Sequence, residues 1–168
     1  PINFIDWEGG RYQGDFMSPY RLHWNVPYQA GEIKVVGFID GKKVTEKLIK
    51  TAGKPARIEL IADRELIKSD GEDMVFVTVR VVDKEGNLCP NSDNLINFEI
   101  EGQGAIVAVG NGNAATTEPF QSNKRKAFSG QCMVFIKASK EAGLINLKAT
   151  SEGLLEAQVQ VQTKRVIN

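Results

Sequence analysis

The chain has 168 residues, enough for one domain and part of a second, and its 42% hydrophobic and 25% charged residues exclude a disordered or fibrous class. Lys plus Arg and Asp plus Glu both number 21, so the formal net charge is zero and no basic excess points to a nucleic-acid partner. No apolar run approaches the roughly 18 residues that span a bilayer, so no membrane-spanning helix is expected.

The sequence opens at Pro1 with no basic-then-apolar leader, so it is read as an internal or processed piece that carries no signal peptide. Its first 28 residues hold both tryptophans (Trp7, Trp24) and all three tyrosines (Tyr12, Tyr20, Tyr28); every later aromatic is Phe. Trp and Tyr join a large apolar face to a polar tip, which suits interfaces and sugar-stacking platforms. These five residues are therefore the candidate contacts to an oligosaccharide or a neighbouring domain. The single histidine, His23, lies among them in "YRLHWNVPY". No G-x-S-x-G elbow accompanies it, so no hydrolytic triad is expected.

Short apolar runs bounded by Gly, Asp, Asn or Pro follow at Ile33–Ile39, Val44–Ile49 and Ile58–Ala62. Between the second and third, "KTAGKP" at 50–55 is small and polar, with Gly53 and Pro55, and reads as a linker. The expected division is a partial β unit over 1–50, a linker over 51–54 and a second domain over 55–168. In that domain Val75, Val77, Val79 and Val81 recur at every second residue, the period of a half-buried strand. Asp83 to Asn87, "DKEGN", supplies the turn after it. Further runs lie at Leu95–Ile100, Ala105–Val109, Met133–Ala138, Leu144–Thr150 and Leu155–Val161. A spacing of roughly ten residues is that of a sandwich or barrel. The reading is all-β: an immunoglobulin-like sandwich of about seven strands, preceded by a partial sheet. One short helical turn is expected near Ser139–Ala142. Val77, Val79, Phe98 and Phe135 are expected in the core.

The carboxylates Asp40, Asp63, Asp70, Asp73, Asp83 and Glu85 sit in or beside turns, where a carboxylate accepts local backbone N–H groups. No paired-acid constellation stands out, and no catalytic, cofactor-binding or metal-binding residue is assigned; no cofactor is expected. Glycines 102, 104, 110 and 112 bracket one short strand and are read as supplying positive φ at its ends, not as a nucleotide loop, since no helix follows. Asn111, Asn113 and Glu118 offer oxygen ligands but lack the several carboxylates usual for Ca²⁺. Cys89 and Cys132 are read as two small apolar residues, with a bridge left open.

Two stretches resemble a known family. "VPYQAGEIKVVGFIDGKKV" resembles the Y-x-P/A-G-E-L-K-x-V element near the C-terminus of bacterial family 2 glycoside hydrolases, the β-galactosidase family. Thr51-Ala52-Gly53, Asp63-Arg64, Asp70-Gly71, Val77-Thr78-Val79, Asp83, Gly86 and Gly110-Asn111-Gly112 then fall in the order of the immunoglobulin-like domain that follows it in the long enzymes of gut Bacteroidetes. The resemblance covers the chain from about Tyr20 onward. Where the family's glycine loop often carries Asp, this chain has Asn113. The resemblance implies a parent that hydrolyses β-galactosides or related β-linked sugars in the periplasm or outside the cell. It places the two catalytic glutamates in an upstream (β/α)₈ barrel, and the upstream domains of the parent become the expected partners.

The reading that follows is a non-catalytic accessory region of such an enzyme. A carbohydrate-binding module is the alternative. A surface adhesin repeat is the third, although no internal repeat is present. Self-association through residues 1–50 is a further expectation, because a partial sandwich leaves an open edge.

Overall fold

The computed structural model describes residues 26–165 in full. Within residues 1–25 it describes only the backbone of four short strands: β1 (Ile5–Trp7), β2 (Gly10–Tyr12), β3 (Asp15–Ser18) and β4 (Arg21–His23). The chain divides into two compact units, Pro1–Thr51 and Ala52–Asn168.

In the first unit β1 pairs antiparallel with β2, and β3 with β4. A longer hairpin follows, formed by β5 (Glu32–Ile39) and β6 (Lys42–Lys50). Asp40 and Gly41 close it with φ of 48° and 74°. Both central residues of a type I′ turn need positive φ, and Asp-Gly tolerates that at low cost. Lys34 pairs with Glu46 across the hairpin at 3.1 Å, and Lys50 pairs with Glu32. These exposed pairs pin register more than they stabilise.

The second unit contains β7 (Arg57–Ala62), β8 (Leu66–Lys68), β9 (Met74–Val82), β10 (Leu95–Gly102), β11 (Gly104–Gly110), β12 (Lys124–Lys126), β13 (Gln131–Ala138), β14 (Gly143–Thr150) and β15 (Ala157–Lys164). One sheet has the order β12-β10-β14-β15-β8 and the other β11-β13-β9-β7. Every pairing is antiparallel except β8 with β15. The chain therefore changes sheets between β7 and β8, so the first strand of the sandwich is split between its two layers. The seven expected runs are the seven long strands; β8 and β12 are additions of three residues each.

The core lies between the sheets. Val75, Val77, Val79 and Val81 of β9 face inward with Cys132, Val134, Ile136 and Ala138 of β13. Against them lie Ile96 and Phe98 of β10, Ile145, Leu147 and Ala149 of β14, and Val161 of β15. Alternation along β13, and along β9 as far as Val81, puts one face in the dry layer of a sandwich.

The structure corrects three expectations. Phe135 is not in the core: it follows Val134 and precedes Ile136, both fully buried, so the pleat turns its ring to the outer face. Residues Ser139–Ala142 form no helix; the Ser139 hydroxyl accepts the Glu141 N–H at 3.1 Å and holds a tight turn. The glycine reading holds at Gly102 and Gly112, with φ of 96° and 74°, but not at Gly104 or Gly110. At Gly102 a Cβ would also lie 2.0 Å from the Leu144 carbonyl oxygen, so the tight passage from β10 to β11 admits no side chain.

Candidate functional site

Of the five candidate contact residues, Tyr28 alone has a described side chain, and it is 80% exposed in the coil before β5. Tyr20 and Trp24 lie outside the described residues. Trp7 and Tyr12 fall in β1 and β2, where only the backbone is described. The side chain of His23 is likewise outside the described residues. Apart from Tyr28, the side chains of this cluster thus lie outside the described residues, and the described part of the molecule offers two built features.

The first is a clasp at the entrance to the second unit. Asp83 follows β9 and is buried. Its Oδ2 accepts the Gly53 N–H at 2.7 Å and the Asn87 side-chain amide at 3.0 Å, while Oδ1 accepts the Asn87 N–H at 2.8 Å. The Gly53 N–H first, then Asn87, hold its pKa down to about 2, because they stabilise the charged form. Arg57 of β7 donates to the Asp83 and Lys84 carbonyls at 3.2 and 3.0 Å. The Cys89 thiol lies 3.7 Å from the Gly53 carbonyl oxygen. On the other side of the boundary, Thr51 N–H donates to the Gly31 carbonyl at 2.8 Å, and the Gly31 N–H to the Thr51 hydroxyl at 3.0 Å. Each end of the connection is thus tied within its own unit.

The second is a groove on the outer face of the β11-β13-β9-β7 sheet. It has a volume of about 460 Å³ and is mainly apolar. Thr78, Met133 and Phe135 form its floor, and the segment after Gly110 supplies its wall with Asn113, Ala114 and Phe120. That wall is ordered by Arg125, whose side chain is fully buried. Its guanidinium donates to the carbonyls of Val109 and Pro119 at 2.8 Å each and of Glu118 at 3.3 Å. It lies 3.5 Å from the Glu118 carboxylate and 5.5 Å from the centre of the Phe120 ring. The guanidinium's fixed fork of donors lets one cation tie two loop carbonyls to the end of β11.

The oxygens first considered for Ca²⁺ serve the same wall. Asn111 Oδ1 accepts the Asn113 N–H at 3.1 Å, Asn113 Oδ1 accepts the Ala115 N–H at 3.0 Å, and Glu118 faces Arg125. Asp63, Asp70 and Asp73 likewise bond the backbone of the β7–β9 connection: to Phe76, to Glu72 and Asp73, and to Lys68 and Met74. Among the described residues no three His, Cys, Asp or Glu side chains cluster as a metal site. Both cysteines are free thiols, and burial pushes Cys132 up to about 12. Sequence reasoning missed Arg125, since a Lys-Arg-Lys run reads as solvated charge; its phase with inward-facing Ala127 was the available signal.

Two facing sheets, a first strand split between them and a clasped entry define the class: an immunoglobulin-like β-sandwich preceded by a separate small β unit. Residues 58–160 match the family model of the glycoside hydrolase family 2 C-terminal domain 5, and the chain belongs to that family. Residues 8–45 match a domain of unknown function, DUF4982. Over 143 residues the chain is 47% identical to a β-galactosidase of Bacteroides ovatus, covering 85% of this chain and 17% of that protein. It is 29% identical over 143 residues to a β-glucuronidase of Formosa agariphila, covering 83% of this chain and 14% of the relative. A solved glycosyl hydrolase family 2 member from Bacteroides cellulosilyticus superposes with a TM-score of 0.81 at 32% identity, over 92% of this chain and 20% of its own. The chain thus spans under a fifth of the length of these two curated relatives.

Proposed function

We propose that this chain is a non-catalytic accessory region of a β-galactosidase-like family 2 glycoside hydrolase, acting in carbohydrate breakdown. The carrying observation is the family match over residues 58–160 in a chain that corresponds to 17% of its β-galactosidase relative. The polar side chains of the second unit support the reading: Asp83, Arg125, Asn111, Asn113 and Glu118 are spent on the chain's own loops. A catalytic pair of acids would instead face a cleft some 5–10 Å apart with substrate between them. The relatives' names include both a β-galactosidase and a β-glucuronidase, so choice of sugar belongs to parts of the parent beyond this segment. We place the parent in the periplasm or outside the cell on the family resemblance; fractionation of the native organism tests that.

The purified chain is expected to show no turnover of aryl β-galactoside. Activity that survives repurification and is lost on changing one internal carboxylate overturns the proposal. The coding sequence upstream gives the independent check: a (β/α)₈ barrel there supports a glycosidase parent, and a row of similar sandwiches rejects it.

A further inference from the structure

Pairing across the outer face of β7, β9, β13 and β11 sets side chains in rows. Ile61, Thr78 and Met133 form one row, opposite Gly110. Phe76, Phe135 and Ala108 form the next. The Phe76 and Phe135 rings meet edge to face, with centroids 5.4 Å apart and planes at 76°. The row before begins with the Glu59–Arg80 ion pair at 2.5 Å, and beyond the second row Lys137 pairs with Glu72 at 3.2 Å. Between these pairs the outward side chains of β9, β13 and β11 are uncharged, in a chain whose residues are 25% charged. Asp63, just past the end of β7, closes the far end of the second row by accepting the Phe76 N–H. The two rows run into the groove walled by Asn113, Ala114 and Phe120. Outward Phe, Ile and Met cost solubility, and such a face marks a protein contact.

We infer that this face seats an apolar segment of the upstream part of the same polypeptide, locking the sandwich against the parent enzyme. The inference rests on the proposed function, since it needs such a parent. Two observations and one physical effect select the occupant. The relatives carry this region as 14–20% of one long chain, so a much larger surface is tethered to it. A tether gives that surface an effective concentration in the millimolar range, well above that of a second molecule in solution. A sugar fits the groove poorly: the Asn111 and Asn113 carbonyl oxygens are already accepting backbone N–H groups, and two rings at 76° offer no shared flat platform.

Met133 reports the contact directly, because thioether oxidation follows exposure. Oxidation by dilute hydrogen peroxide would be followed by mass spectrometry in this chain alone and in the full polypeptide that its gene encodes. The expected result is oxidation at Met133 slowed at least about fivefold in the full polypeptide, in line with removal of the thioether from solvent. Phe76→Lys should restore the rate of the isolated chain, with the circular dichroism spectrum unchanged. Equal rates in the two proteins overturn the inference. So does protection in the isolated chain that grows with its concentration, which means a second copy, or protection by galacto-oligosaccharide, which means a sugar. An upstream sequence without a glycosidase sinks the proposed function instead, and is read from the gene with no reference to Met133.

Discussion

Asp83 and Arg125 are the two charged side chains that the second unit takes fully inside, and each is bound to backbone. Asp83 has a folded pKa of about 2 against an ordinary 3.8, so its contribution is complete above about pH 4 and disappears as pH falls through the folded value. Acid unfolding followed by far-ultraviolet circular dichroism should therefore steepen between about pH 4 and 2. Asp83→Asn should flatten that limb while lowering stability at neutral pH. An unchanged acid limb in the variant would show that Asp83 is not the group responsible. At Arg125, truncation to Ala leaves the Val109, Glu118 and Pro119 carbonyls without this donor; each acceptor left buried and unpaired costs roughly 1–3 kcal/mol. Denaturant midpoints at constant m-value test it. The turn role of Asp83 was legible from Asp and Gly in "DKEGN". Its second partner, Gly53, lies 30 residues away in sequence, and nothing local shows it.

At the level of strands, legibility followed length. Val75 to Val81 announces β9 because four β-branched residues in alternation have no helical reading. β8 and β12 were missed, since three residues carry less than two periods, and both owe their existence to a longer neighbour: β15 for one and β10 for the other. Phe135 was placed on the wrong face because Met133, Val134, Phe135 and Ile136 are consecutive apolar residues, so composition alone does not mark which phase faces inward. The two phenylalanines make the distinction measurable. Phe98, 2% exposed, should lose about 3–5 kcal/mol on truncation to Ala. Phe135→Ala should lose clearly less, as only part of its ring is withdrawn from water. Equal losses would mean that the outer face is as well packed as the core.

At the scale of the whole molecule, the boundary after Thr51 separates units of very different self-sufficiency. The second has a continuous two-layer core, so a chain of residues 52–168 should unfold cooperatively on its own. One starting at Lys54 lacks the Gly53 N–H that Asp83 accepts, and should unfold at a lower midpoint; identical midpoints would show the clasp contributes nothing. In the first unit the β5–β6 hairpin leaves Ile33, Phe38, Ile39, Val44, Leu48 and Ile49 all more than 40% exposed. An isolated two-stranded hairpin is marginal in water, and contiguous exposed apolar residues invite association. Residues 1–51 alone should therefore either lack a cooperative transition or assemble with rising concentration. Sedimentation velocity over a hundredfold concentration range, on this segment, on the complete chain and on an Ile39→Lys, Ile49→Lys double variant, separates the cases. Association of the segment that the double variant removes assigns the hairpin as the adhesive surface. A segment that stays monomeric and melts cooperatively would show that residues 1–51 complete their own fold, and that the open-edge reading is wrong.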